Sequence, residues 1–285
     1  NFDQYRGSFS AGGMLGDSNW AGSFSALLTN KDGTFQNVNP NAKRELGMER
    51  NLATRAKLRY MGVENLDVTL SFSYANSKND SQQLTPAITP NVPGNRRFTS
   101  DDLVAGVFTT PMNPASFVPL GTFEVYTPIV PGGGPGPIES VPRGETKQII
   151  SSLNISYDLG WGTFKSITGF VNTKDFFSTD FSGSGGIMGG NKLDVDQLSE
   201  ELQLVGTALD DRLSYIAGLY FFNEKGYQDF GWRAGVLPFS TTRSDAKTTS
   251  YSAFTQLDYD LTDALKITAG LRYTRDKKDF DFIFN

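Results

Sequence analysis

The strongest pattern in the chain is Leu66-Asp67-Val68-Thr69-Leu70-Ser71-Phe72-Ser73-Tyr74, in which every even position is apolar and every odd position is polar. A β-strand turns successive side chains to opposite faces, so a period of two gathers all the apolar side chains on one face. A helix would scatter the same residues around its circumference. The stretch therefore predicts a strand with one apolar face and one polar face.

Four more stretches alternate in the same way, at residues 20–28, 52–60, 153–157 and 265–273. Short segments that contain Gly, Asp or Asn, residues that tolerate turn geometry, join the predicted strands in pairs. These turns are Leu15–Asn19, Met61–Asn65, Asp158–Gly162, Ala208–Arg212 and Asp260–Ala264. The pattern predicts an all-β chain of about ten antiparallel strands in five hairpins.

The connections between the hairpins are much longer than the turns within them. We place long loops near 29–49, 77–145, 176–194 and 224–247, and two of them contain runs rich in Gly and Pro. Barrels of the outer membrane have short turns at one end and long extracellular loops at the other. The asymmetry predicts a transmembrane β-barrel with these four segments on its extracellular side.

Composition excludes several kinds of protein. The chain has 285 residues, a formal charge of −5, no Cys and no His. A negative balance argues against a broad nucleic-acid surface. Without imidazole or thiol groups, Ser-His-Asp catalysis, cysteine catalysis and the common zinc sites are ruled out. We therefore expect no enzymatic activity, no cofactor, no metal site and no nucleic-acid partner.

A β-sandwich of a soluble protein also alternates, and two features favour a barrel over it. Charged side chains occur at mid-strand positions of the polar face, where a wide barrel provides a wet lumen. They include Arg55, Lys57, Arg59, Asp67, Glu201, Asp258, Lys266 and Arg272. Aromatic residues also stand beside the turns, as amphipathic rings do at a membrane–water boundary. These are Trp20, Tyr60, Tyr157, Trp161 and Tyr259, although turn-capping or core aromatics would give the same pattern.

Several segments together resemble TonB-dependent outer-membrane receptors of Gram-negative bacteria. They are Asn1–Ser10, Asp32–Asn37, Glu200–Leu204 with Leu213–Phe221, and Tyr251–Tyr259 with Leu271–Thr274. The resemblance implies a 22-stranded barrel filled by an N-terminal plug. It also implies uptake driven through the plug by the TonB–ExbB–ExbD complex. Residues 1–285 contain no plug, no TonB box and no closing strand, so we expect them to be an internal portion of the barrel.

The candidate ligand-binding residues come from the predicted loops. Arginines there could contact an anionic ligand, and aromatic rings could stack on a sugar or a catecholate. The candidates are Arg96, Arg97, Tyr126, Arg143, Phe177, Phe181, Tyr227 and Trp232. The same residues could instead pack the loops against one another.

The resemblance implies a receptor in the outer membrane, surrounded by its lipid, that binds and imports a scarce nutrient. A ferric siderophore is the first candidate, and an oligosaccharide or another bulky ligand is the second. A passive porin or a loop-displaying adhesin would share the alternation, so the period of two leaves these alternatives open.

Overall fold

The computed structural model describes residues 3–37, 45–80, 143–180, 187–234 and 240–284, together with short strands at Glu124–Val125, Ile129–Pro131 and Pro137–Glu139. Ten long strands form one antiparallel sheet, in which each strand pairs with its neighbours in the chain. They are β1 (Gln4–Met14), β2 (Trp20–Lys31), β3 (Glu49–Val63), β4 (Leu66–Asn79), β5 (Arg143–Asp158), β6 (Thr163–Asp180), β7 (Ile187–Ala208), β8 (Leu213–Ala234), β9 (Ser240–Thr262) and β10 (Leu265–Phe284). The predicted ten strands and five hairpins are confirmed.

Side chains within the hairpin turns form hydrogen bonds with the turn backbone. In the first turn, the Ser18 hydroxyl donates to the Leu15 carbonyl and accepts from the Trp20 amide. The third turn places Gly160 at a φ of 81°, and the Asp158 carboxylate accepts its amide. Such backbone angles favour Gly, Asp and Asn, which explains why these residues marked the turns in the sequence.

The sheet is a single layer. Among the residues that the structure describes, Leu46 is the one buried hydrophobic residue, whereas Leu70 and Phe72 are 48% and 45% exposed. A sandwich would cover the apolar face with a second sheet. The exposed apolar face therefore fits a barrel wall and contradicts a sandwich. Within the described ranges, no helix is long and apolar enough to cross a membrane.

Two predicted loops have different bounds in the structure. β6 continues to Asp180 and β7 begins at Ile187, so most of 176–194 is paired strand. β8 continues to Ala234 and β9 begins at Ser240, so most of 224–247 is strand as well. The register continues unbroken, as the pair Asp194 and Tyr227 illustrates. Alternation is lost in these segments because polar residues occupy both faces, while the backbone ladder still extends from the strands below.

The other two predicted loops, near 29–49 and 77–145, lie between strands whose ends the structure describes. β2 ends at Lys31 and β3 begins at Glu49, while β4 ends at Asn79 and β5 begins at Arg143. The described part of the first connection folds back on itself, because Phe35 bridges to Leu46. Most of 77–145 lies outside the described residues. The extracellular position of all four segments stays a prediction.

The pairing from β1 to β10 shifts register only beside two turns, at Tyr60/Val63 and Asp260/Thr262, and it gives the sheet two continuous faces. One face, here called the apolar face, carries Phe72 and Leu70 and their cross-strand neighbours Ala56, Leu58 and Leu153. The other, the polar face, carries all eight mid-strand charges predicted for it, from Arg55 to Arg272. A one-residue slip anywhere would have exchanged the two faces, so the register fixes every assignment that follows.

Candidate functional site: the two faces of the strand wall

An apolar band crosses the apolar face from the turns toward the loop connections. On each strand from β2 to β10 it ends at a last apolar residue, which defines the upper boundary of the band. These residues are Leu28, Leu52, Tyr74, Ile149, Phe170, Leu198, Phe221, Tyr251 and Tyr273. The next residue on the same face is polar in every strand: Asn30, Arg50, Asn76, Lys147, Asn172, Asp196, Asn223, Thr249 and Arg275.

The band has the height of a membrane core. From Leu66 to Tyr74 it covers eight residue steps, which is about 27 Å along the strand and about 22 Å in height for a strand tilted by about 35°. Aromatic rings line its lower edge, where Trp20 and Tyr60 pack with ring centroids 4.7 Å apart. An apolar zone of about 25 Å between aromatic girdles is the mark of a membrane barrel. Trp20, Tyr60, Tyr157 and Tyr259, which were predicted to lie at a membrane–water boundary, are on the apolar face at this lower edge. Trp161 is in the adjoining turn.

The upper boundary also shows that the strands are tilted. Ile149 is the last apolar residue of β5, but its partner on β6 is Asn172, two residues beyond Phe170. The same step of two residues occurs between β3 and β4, between β7 and β8, and between β9 and β10. The shift averages one residue per strand, which for strands about 4.8 Å apart gives a tilt of about 35°.

Glu200 is an exception within the band, and its position was missed in the sequence. Ser166 donates to its Oε1 at 2.7 Å and Thr168 donates to its Oε2 at 2.5 Å, so each oxygen has a partner. Glu201 lies on the polar face, where Gln203 donates to it. The sequence analysis placed Glu201 on the polar face, and because adjacent side chains of a strand point to opposite faces, this already implied that Glu200 lies on the apolar face.

The polar face holds an aromatic stack around Arg272. Its guanidinium lies 5.5 Å from the Phe254 ring centroid and 6.0 Å from that of Tyr220, and it donates to the Ser252 hydroxyl at 2.8 Å. Phe254 lies over Gly218, where an added Cβ would overlap its ring. A glycine at position 218 therefore allows the Phe254 ring to lie directly against the β8 backbone. Lower on this face, Arg59 forms an exposed ion pair with Asp67, of a kind that contributes little to stability.

The structure separates the predicted ligand-binding residues. Phe177 and Trp232 lie on the polar face, above the level of the band. Arg143 and Tyr227 lie above the band on the apolar face. They are not brought together, because strand alternation directs the two pairs to opposite sides of the wall. The remaining candidates, Arg96, Arg97, Tyr126 and Phe181, lie outside the described residues.

Arg143 and Tyr227 each engage a local partner. The Arg143 guanidinium lies 5.2 Å from the Phe176 ring centroid. The Tyr227 ring has Lys192 at 5.5 Å and Arg243 at 5.1 Å. A hydrogen bond with the Tyr227 hydroxyl raises the pKa of Lys192. These cation–π contacts give both candidates a packing role on the wall.

The polar face carries more aromatic rings than the sequence analysis proposed. With Phe177 and Trp232 they form what we call the upper aromatic patch: Phe177, Phe230, Trp232, Phe280, Phe282 and Phe284. The rings of Phe282 and Phe284 lie 4.5 Å apart, edge to face. Phenylalanine occurs at every second position of Phe280-Asp281-Phe282-Ile283-Phe284, and this spacing could have revealed the patch in the sequence.

Polar groups separate the rings of this patch. Phe177, Phe230 and Phe284 share one hydrogen-bonded row, with Asn191 and Thr242 between them. Gln228 donates to the Asn191 amide oxygen at 2.8 Å. Trp232 and Phe230 are 45% and 36% exposed. Exposed rings with amides and hydroxyls between them are suited to stacking on flat ligand groups and bonding their polar edges.

The sequence matches no protein-family model and no curated protein. The fold matches solved structures over almost its whole length. The ferric yersiniabactin uptake receptor FyuA from Yersinia pestis has a TM-score of 0.70 at 16% identity, over 98% of this chain and 38% of that chain. The ferric-catecholate import receptor Fiu from E. coli K12 has a TM-score of 0.61 at 10% identity, over 97% and 43%. The outer membrane transporter YddB from Escherichia coli has a TM-score of 0.54 at 12% identity, over 99% and 36%.

The chain thus spans less than half the length of the receptors it matches. Structural similarity at such low sequence identity shows a shared fold. That fold agrees with the apolar band, the aromatic residues at its lower edge and the tilt of the strands. The resemblance to TonB-dependent receptors is confirmed at this level: the chain has the fold of the barrel wall of outer-membrane receptors.

Proposed function

We propose that the chain is part of the wall of a receptor in the outer membrane of a Gram-negative bacterium. The receptor imports a bulky nutrient, with a ferric siderophore as the first candidate and an oligosaccharide as the second. The observation that carries the proposal is the upper aromatic patch, placed on the polar face of a fold shared with ferric-siderophore receptors. The protein forms and breaks no covalent bond in this role.

The two faces support this placement. The apolar band contacts acyl chains, and the polar face lines the lumen, where Arg55, Lys57 and Arg272 stay hydrated. The strands from β6 to β10 continue beyond the band, so the upper aromatic patch lies on the lumenal side above the membrane core. A ligand that enters from outside meets these rings first.

The driving force comes from outside this chain. Import against a gradient requires energy, which the TonB–ExbB–ExbD complex supplies through a plug in the proposed full receptor. The wall contributes binding and a path for the ligand. A passive porin or an adhesin would need neither an energy source nor the aromatic patch.

Uptake assays in the source bacterium test the proposal. We expect iron-limited cells to take up ⁵⁵Fe from at least one of a panel of ferric catecholate, hydroxamate and phenolate chelates. Deletion of the gene or of TonB, or addition of a protonophore, abolishes that uptake. Energy-independent diffusion of small solutes through the reconstituted protein would support the porin instead. TonB-dependent uptake of maltodextrins alone would select the oligosaccharide.

The opposite orientations of Trp232 and Tyr227 give a residue-level prediction. Trp232→Ala removes a lumenal stacking surface, and we expect it to weaken binding of the transported chelate by roughly three- to tenfold. Tyr227→Ala on the same strand serves as the matched control and should leave binding unchanged. Binding to whole cells at equilibrium gives the measurement. Equal losses in the two variants would show that the assigned faces do not govern ligand contact.

A further inference from the structure

Three neighbouring strands carry polar side chains at one depth within the apolar band. The first residue below the upper boundary is Ser151 on β5, Thr168 on β6 and Glu200 on β7. Ser166 follows below Thr168 on the same face. These four residues are here called the polar notch. All three strands are paired on both sides, so the notch is not at an edge of the sheet. Polar and ionisable side chains are costly in lipid, so their presence here indicates a contact other than acyl chains.

The tilt of the strands places Ser151 and Glu200 at the same depth. In register, Glu200 lies opposite Thr168, and Thr168 lies opposite Leu153. For strands about 4.8 Å apart, a tilt of about 35° shifts equal depth by about two residues over two strands. Ser151 is two residues above Leu153 on β5, so its depth equals that of Glu200.

Hydrogen bonds within the notch leave a donor and an acceptor available. Ser166 and Thr168 each donate to one oxygen of Glu200, and each of these oxygens has a second lone pair. With the residues that the structure describes, the Ser151 hydroxyl forms no hydrogen bond. Ser151 and Glu200 are separated by two strand spacings, about 10 Å, so they do not meet within one copy of the chain.

A two-fold axis through Thr168 brings this donor and this acceptor together. Two copies that insert in the same direction are related by an axis parallel to the membrane normal, so residues of equal depth face each other. β5 of one copy then lies opposite β7 of the other, and Ser151 faces Glu200 twice. The arrangement is therefore self-complementary.

The neighbouring side chains agree with this axis and disfavour the alternatives. Above the notch Ile149 faces Leu198, and below it Leu153 faces Leu202, so apolar residues meet apolar residues. An axis on β7 would place the two Glu200 carboxylates against each other, where like charges repel. An axis on β5 would leave both of these carboxylates facing lipid.

We propose that the polar notch is the centre of a two-fold contact between two copies of this chain in the membrane. The inference rests on the membrane placement proposed above. Each Ser151 hydroxyl donates to Glu200 of the partner subunit, and Thr168 lies at the axis. Apolar burial drives no association in lipid, so these hydrogen bonds and the close packing of small serine and threonine side chains stabilise the contact.

Counting subunits in lipid vesicles tests the contact. The intact protein that carries this chain is labelled with one fluorophore and reconstituted over a range of protein-to-lipid ratios, and single-molecule photobleaching gives the fraction of dimers. Ser151→Ala removes the donor but leaves Glu200 and its two hydrogen bonds in place. Thr54→Val is the matched control, because it removes a hydroxyl at the same depth on β3. Glu200→Leu and the double variant complete a mutant cycle.

We expect dimers of the parent, and a dissociation constant in the membrane that is roughly three- to tenfold higher for Ser151→Ala. Thr54→Val should not differ from the parent, and the double variant should be no weaker than Glu200→Leu, because both changes remove one contact. Monomers at every ratio, equal effects of Ser151→Ala and Thr54→Val, or additive losses would overturn the proposal. Chelate uptake separates the two proposals: a monomer that imports the chelate contradicts only the dimer, and a dimer without uptake contradicts only the import function.

Discussion

Replacing Leu153 by arginine destabilises the membrane-inserted protein by about 2–4 kcal/mol, the cost of a cation near the bilayer midplane. Leu153 lies midway between Ile149 and Tyr157, at the centre of the apolar band, and Leu70 is its neighbour on β4. The carboxylate of the band, Glu200, lies two strands away across Thr168 and is already hydrogen-bonded to Ser166 and Thr168. The measurement is urea unfolding of the intact protein in lipid vesicles.

The matched control is the adjacent residue. Ser152→Arg places the same side chain on the polar face, between Ser71 and Gly169, where water reaches it. We expect the midpoint of unfolding of this variant to stay close to that of the parent. A larger loss for Ser152→Arg than for Leu153→Arg would reverse the assignment of the two faces, and with it the proposed membrane placement.

Replacing Gly218 by valine costs about 1–3 kcal/mol, as overpacking generally does. A Cβ at this position overlaps the Phe254 ring, so Phe254 must move, and the contact between that ring and Arg272 is lost with it. We expect a lower unfolding midpoint in vesicles. The intrinsic tryptophan fluorescence of the folded state serves as a check that the variant still inserts.

Gly22→Val controls for the intrinsic effect of the substitution. A Cβ on Gly22 meets only the Leu15 side chain, at 3.4 Å, and the residue is in β2, which has a paired strand on each side. Valine favours strands, so this variant should be as stable as the parent or slightly more so. If Gly218→Val is equally well tolerated, the Arg272 stack is not a rigid part of the wall.

The wall inside the membrane could be predicted from sequence because the bilayer imposes a strong contrast between its faces. Leu66 to Tyr74 alternates without exception, and the turns beside it hold residues with the required backbone angles. Above the band that contrast disappears. Asp194 and Gln197 face water on opposite sides, so the sequence gives no period although the backbone pairing continues.

The candidate site was predictable only in part. Choosing residues by their chemistry found Phe177 and Trp232, but it also selected Arg143 and Tyr227 on the other face. The sequence does not give the register of these strands, and an error of one residue in the register would move every side chain to the other face. Phe280, Phe282 and Phe284 were overlooked for a different reason. Their alternation begins after the basic run from Arg275 to Lys278, which resembles the end of a strand.

The two-residue steps of the upper boundary imply that depth and hydrogen bonding follow different directions across this wall. Ile149 and Asn172 are bonded neighbours, yet in the proposed membrane placement one is immersed in lipid and the other is at the surface. A spin label on each would report different exposure to oxygen and to a water-soluble quencher. Residues at equal depth lie along a diagonal of the sheet, and we expect them to accept similar substitutions. Hydrogen-bonded partners on neighbouring strands will often lie at different depths and accept different ones.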